Sequence, residues 1–285
     1  MYNNELRLMA VYPTAFDYIK TQPSYREIVD KINKKHKKIY DEIDQEFISN
    51  INVRQKVPFY IPQYPIGWED IFEKCHDKFQ IAIEYVNDKI LKYGNTVFPE
   101  NENLFNAFRV PPSKVKVIII GQDPYYTRDQ YTGHPVSNGM AFSCTGSKIQ
   151  PSLKSVFKEL KRTHGREPST GDLTFWANQG VLLLNTCLTV DEGTPKSHGK
   201  NWHIAVKGIL EEFFSLGNRA IVCLWGAVAR DFFSKLEFPR KNAIELFAGH
   251  PSSQNTSNPF VGCGHFAEID QIFIENGMNP INWLD

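Results

Sequence analysis

Four short apolar runs constrain this chain more than anything else in it. Residues 115–120 (VKVIII), 181–184 (VLLL), 221–225 (IVCLW) and 243–247 (AIELF) are each too short to be the core of a helix. The first ends at Gly121, and the first two have the form of strands buried on both faces. Segments of 3.6-residue period alternate with them. Leu153, Val156, Phe157 and Leu160 mark one helix; Val206, Ile209, Leu210 and Phe213 mark a second; Ala229, Phe232, Phe233 and Leu236 mark a third. Upstream, Trp68, Ile71, Phe72, Cys75, Phe79 and Val86 read as one further helix. Strands alternating with helices imply an α/β fold. We expect a three-layer α/β/α arrangement around a central four-stranded, mostly parallel sheet.

The first 65 residues read differently. They hold ten Lys/Arg, eight Asp/Glu and no Gly. Ser24 and Glu27 form a capping box, and Ile28, Ile32, Ile39, Ile43 and Phe47 recur at helical spacing. Lys31, Lys34, Lys35, Lys37 and Lys38 cluster on the polar side of that helix, a pattern that is usually a solvated face and otherwise a contact with DNA, a membrane or a partner. Pro58, Pro62, Pro65 and Gly67 read as a linker. The expected division is therefore a helical N-terminal extension over 1–65 and a separate α/β domain over 66–285.

Charge and cysteine content narrow the class. Lys+Arg and Asp+Glu are both 32 in the 285 residues, so the formal net charge is zero. It divides as +2 for residues 1–65 (10 minus 8) and −2 for residues 66–285 (22 minus 24). A broad basic coat is excluded, and a polyanion would have to be held by local groups. The five cysteines (Cys75, Cys144, Cys187, Cys223, Cys263) are odd in number and widely spaced, which fits reduced thiols and an intracellular protein. Whether that is nucleus or cytoplasm is open. Ligand spacing for zinc is absent, and no run approaches the ~18 apolar residues of a membrane span. No metal, cofactor or membrane is expected.

Ligands of an open α/β sheet bind beyond the carboxyl ends of its strands. After the first strand come Gly121, Gln122, Asp123, Pro124, Tyr125 and Tyr126. After the second come Asn185 and Thr186; after the third, Gly226 and Ala227; after the fourth, Gly249, His250, Pro251, Ser252 and Ser253. Each alone has a plain structural reading: Asp-Pro initiates turns, and Asn caps them. Together they put a carboxylate, an amide and an imidazole on one edge. Neither a GxGxxG nor a GxxxxGK[ST] pattern is present, which argues against a nucleotide cofactor.

GQDPYY (121–126), GMAFS (139–143), LLLNTCLT (182–189) and GHPSS (249–253), in this order, resemble the family 1 uracil-DNA glycosylases from about residue 66 onward. The resemblance implies hydrolysis of the bond between uracil and deoxyribose in a flipped-out nucleotide. It implies Asp123 and His250 as catalytic residues, and Gln122, Tyr125, Phe142 and Asn185 as uracil-binding residues. Pro151, Ser152, Gly226, Ala227, Pro251, Ser252 and Gln254 would meet the DNA. The partners implied are single- or double-stranded uracil-containing DNA and a proteinaceous uracil mimic as inhibitor, with the enzyme a monomer. The chain departs from the family pattern at Tyr126 (usually His), Ala227 (often Ser) and Gln254 (usually Leu). The segment 127–138 is also longer than usual. A second reading, from another class, is a DNA-binding structural subunit of a replication complex on the same fold. An unrelated hydrolase fits poorly, because no nucleophile elbow is present.

Overall fold

The computed structural model describes residues 58–252 and 260–285, and the architecture below belongs to the unit Ile61–Asp285. The helix expected over the first 65 residues lies outside the described residues, as does Gln254.

Two helices open the unit, α1 (Glu69–Lys74) and α2 (His76–Tyr93), followed by the short strand β1 (Val97–Phe98) and by β2 (Val117–Gly121). Then come α3 (Pro151–His164), α4 (Thr174–Ala177), β3 (Val181–Asn185) and β4 (Val190–Asp191). The chain ends with α5 (Gly199–Ser215), β5 (Ala220–Trp225), α6 (Ala227–Ser234), β6 (Ala243–Ala248) and α7 (His265–Glu275).

The main sheet has the order β3-β2-β5-β6. All three pairings are parallel, so the sheet is wholly and not mostly parallel. β2, β3 and β5 are buried at every residue, which is why they read as unbroken apolar runs. β6 is an edge strand of another kind. Ile244 and Phe247 are half exposed, while Leu246 and Ala248 face the core.

Helices cover both faces. On one, α1 and α2 pack with α5, joined by aromatic contacts of Trp68 with Phe213 and of Phe79 with Trp202. On the other, α3 meets α7, and Phe266 touches Trp176, Trp225 and Trp283. These indole and phenyl groups are fully or almost fully buried, and their area dominates the apolar stabilisation of both layers.

Two readings of the sequence are corrected, and one element is additional to them. The helix expected through residues 68–86 is two helices meeting at Cys75, whose φ of −105° and ψ of 4° are not helical. A continuous helix would set Phe72 and Phe79 about 10 Å apart along its axis. The break lets their rings stack at 5.0 Å and 4°. Strand β2 starts at Val117, two residues late, because a 3-10 turn ends at Lys114. The antiparallel ribbon of β1 with β4 was not anticipated; two-residue strands leave no periodicity to read.

Candidate active site

β2 goes on to β3 on one side, and β5 then lies on the other, so the strand order reverses between β2 and β5. That reversal opens a crevice at the carboxyl edge of the sheet. Gly121 ends β2, and Asn185 ends β3 as its direct partner. The turn after β3 is fastened to the turn after β2: Thr186 N–H donates to Gly121 O (3.0 Å), and Cys187 N–H donates to Gln122 O (3.0 Å). Asn185 is 3% exposed, an amide held at the end of a buried strand.

The segment 139–143 folds over the outer edge of β3. Ala141 N–H donates to Leu183 O (2.9 Å), which occupies part of an otherwise open sheet edge. Phe142 then takes a left-handed backbone with φ 64°, uncommon outside glycine. The Tyr125 hydroxyl donates to Phe142 O at 3.1 Å and holds that conformation. Burial pushes the Tyr125 phenol up, so it stays a neutral donor. The Phe142 ring lies 5.3 Å from Trp225 and 6.3 Å from His250, centroid to centroid.

His250 follows β6. Its Nδ1 accepts the Ser252 N–H at 3.0 Å, so in the neutral ring the proton sits on Nε2. Burial lowers its pKa; Asp123 opposes that shift and Lys196 adds to it. Gly226, with φ 96°, directly follows the neighbouring strand β5 and leaves room for His250.

Asp123 Oδ2 accepts the backbone N–H of Lys196 at 2.9 Å. Burial raises the Asp123 pKa above the ordinary carboxylate value. The Lys196 amide and ammonium, Gln122 and His250 all pull it back. The net position is a partly desolvated carboxylate beside a neutral imidazole.

These groups line one cavity of about 180 Å³. Its walls include Gln122, Asp123, Tyr125, Phe142, Ser152, Asn185 and His250, all named from the sequence, and Tyr126 at its exposed rim. Pro151 is the first residue of α3, and Ala227 is the first of α6, directly after Gly226. Pro251 and Ser252 follow His250. A larger polar hollow of about 350 Å³, bordered by Glu100, Asn138 and Asp172, shares no residue with this cavity.

Met140, Pro195 and Lys196 also line the cavity; Met140 stands in the GMAFS motif with no role expected of it, and Pro195 and Lys196 lie outside every motif. Pro195 and Lys196 sit in a Gly-Thr-Pro-Lys-Ser turn, and turn composition alone does not say which backbone N–H will face a carboxylate. The long segment 127–138 forms a folded-back turn, bridged between Arg128 and Pro135. Asp129 anchors it, accepting from Tyr131 N, Thr132 N and both Ser147 N and Oγ. Among the described residues, no cluster of three His, Cys, Asp or Glu could hold a metal ion. No helix among them is long and apolar enough to cross a membrane.

Residues 108–273 match the model of the uracil DNA glycosylase superfamily. The chain belongs to that superfamily. A uracil-DNA glycosylase of Proteus mirabilis is 36% identical over 227 residues, covering 77% of this chain and 96% of that one. Another from Aliivibrio salmonicida is 38% identical over 224 residues, covering 76% and 96%. The crystal structure of mimivirus uracil-DNA glycosylase shares the fold, with a TM-score of 0.72 and 23% identity over 78% of this chain and 87% of that chain. The chain is thus a uracil-DNA glycosylase, a DNA N-glycosylase that flips uracil out of DNA and hydrolyses its bond to the sugar. The abasic site it leaves initiates base-excision repair. The alternative of a purely structural DNA-binding subunit draws no support from these relatives.

Proposed function

We propose that the cavity at the carboxyl edge of the sheet is where uracil is read and released, with Asp123 and His250 carrying the chemistry. The carrying observation is the meeting of a buried amide, a desolvated carboxylate and a neutral imidazole in one 180 Å³ space. Asn185 reads the base, since its amide donates to O4 and accepts from N3–H of uracil. Cytosine presents the reverse pattern and leaves buried groups unpaired, at ~1–3 kcal/mol each. Phe142 stacks on the ring, the backbone around Gln122 seats it, and Tyr125 stands where the thymine methyl would go.

Bond cleavage leaves positive charge on the sugar and negative charge on uracil O2. Asp123 in its ionised form stabilises the sugar cation and orients the attacking water. Water then adds at the sugar carbon, its proton passes to Asp123 and on to the departing uracil anion, and the products are the abasic sugar and neutral uracil. His250 Nε2–H donates to O2 as charge develops there, a preorganised donor worth ~3 kcal/mol. The Ser252 N–H on Nδ1 supports this role, because it fixes the donor on the other nitrogen.

The loops at Pro151-Ser152, Gly226-Ala227 and Pro251-Ser252 hold DNA phosphates through backbone N–H groups and hydroxyls, which suits a catalytic region with no positive excess. Gln254 enters the base stack where uracil has left. Residues 66–285 form the catalytic unit, and residues 1–65 an appended segment whose lysines add a DNA contact. We assign the enzyme to an intracellular compartment as a monomer, open to a protein inhibitor that mimics uracil; a variant of mimivirus UNG is known in complex with UGI. Single-turnover uracil release tests the roles: Asp123→Asn and His250→Ala should each slow release by at least about 100-fold while DNA binding persists. Wild-type rates in either variant would refute the assignment.

A further inference from the structure

The Asp123 carboxylate is held by a residue under backbone strain. Lys196 is not glycine, yet its φ is 63°, in the left-handed region. Such a conformation persists only when its surroundings over-determine it. The surroundings here are a buried polar network that the chemistry above does not use.

His198, two residues on, has a side chain with no solvent exposure. Its Nδ1 is 2.8 Å from Thr189 Oγ1, and its Nε2 is 2.9 Å from Asp191 Oδ1. The Lys89 ammonium donates to Asp191 Oδ2 and to Ser197 O, both at 3.0 Å. Asp191 N–H donates to Ser197 Oγ at 2.7 Å, and Trp202 Nε1–H donates to Thr189 Oγ1 at 2.6 Å. Both ends of the 191–198 turn are therefore tied to α2, β4 and α5. Lys196 sits between those ties with its N–H directed at Asp123. Burial lowers the His198 pKa, with Asp191 opposing. Burial likewise disfavours Asp191's charge, yet Lys89 and His198 hold its carboxyl below the ordinary value.

We propose that Asp191, His198 and Ser197 are positioning residues: they hold Lys196 left-handed so that its amide N–H anchors the Asp123 carboxylate. This rests on the reading of Asp123 as a catalytic carboxylate. The groups facing Asp123 are the Lys196 amide and ammonium, Gln122, His250 and the neutral thiol of Cys187, which in turn feels Lys89. Of these, the Lys196 amide N–H and ammonium are the ones whose positions depend on the turn, and both favour the ionised carboxylate. A hydrogen bond to the ionised form favours that form. Loosening the turn should therefore make Asp123 harder to ionise and move the acid limb of activity to higher pH.

The test is the pH profile of single-turnover uracil release by the full chain, for wild type, Asp123→Asn, His198→Ala and Ser197→Ala, with thermal melting of each. Ser197→Ala removes one surface-side tie and carries the test if His198→Ala fails to fold. The expected result is an acid limb displaced upward by about one pH unit in the folded variants, an approximately tenfold loss below the limb that narrows toward the alkaline plateau. A loss by the same factor at every pH, or an unshifted limb, overturns the proposal. If Asp123→Asn retains wild-type activity, the failure belongs to the underlying reading of Asp123 and overturns both.

Discussion

Gly121 and Asn185 are register partners at the ends of β2 and β3, and the amide of Asn185 occupies the space a side chain at 121 would take. A Cβ built on Gly121 would lie 2.2 Å from Asn185 Oδ1 and 2.7 Å from Ala141 Cβ. The missing side chain at 121 therefore leaves the space that the Asn185 amide oxygen occupies.

Gly121→Ala should displace that amide while leaving the sheet intact. A misplacement of about 1 Å in a positioning group costs on the order of 100-fold in rate. Single-turnover excision should fall by about that factor, with thermal melting recorded alongside. A rate within twofold of wild type would mean that Asn185 does not depend on this contact.

Gly226→Ala should damage the other side of the cavity. Its Cβ would come within 2.8 Å of His250 Cβ, at a φ of 96° that side chains rarely adopt. We expect a stability loss of about 1–2 kcal/mol from the backbone. Excision should slow further than that loss explains, because His250 must shift. Denaturant melts and kinetics on the same preparation separate the two effects.

How much of this was legible beforehand depended on what each residue's neighbours do. β2, β3 and β5 were readable because both of their faces are buried, and Asn185 and Asp123 because they lie at or just past the ends of such strands. The break at Cys75 was not, since it serves the stacking of Phe72 on Phe79, a contact that helical periodicity does not encode. Lys196 was missed for a related reason. Its contribution is a backbone N–H, its side-chain type is irrelevant to the bond with Asp123, and the network that strains it is contributed by residues 89, 189, 191 and 202. Gly121 stood in a sequence motif and Gly226 among the expected DNA contacts, but their closeness to Asn185 and His250 needed the fold.

Asp123 should cost the protein stability at neutral pH. Burial raises its pKa in the folded state, so the native chain binds that proton more tightly than the unfolded one. The resulting stabilisation is present below the unfolded value and is lost as pH rises through the folded one. Asp123→Asn, whose amide oxygen can still accept the Lys196 N–H, should therefore raise the melting temperature at pH 7, by about 2–4 °C. The difference should shrink as the pH approaches about 4. A variant that melts lower than wild type at pH 7 would contradict this.

The pH dependence of excision follows from the same two groups. Activity needs Asp123 ionised and His250 neutral. Burial holds the first above the ordinary carboxylate range, and burial with Lys196 holds the second below the ordinary imidazole value. The single-turnover rate should climb through the mildly acidic range and level off before about pH 6.5. An activity that instead falls as His250 loses its proton near neutrality would require a cationic imidazole and would remove the role given to Nε2–H.

The most direct measurement is of the base released. Oligonucleotides carrying uracil, thymine or cytosine at one position are incubated with the wild-type chain and with Asp123→Asn, and the free bases are quantified. The cavity of Asn185, Tyr125, Phe142, Asp123 and His250 predicts release of uracil alone by the wild type and a loss of at least about 100-fold in Asp123→Asn. Release of thymine or cytosine at rates comparable to uracil, or undiminished uracil release by Asp123→Asn, would contradict it.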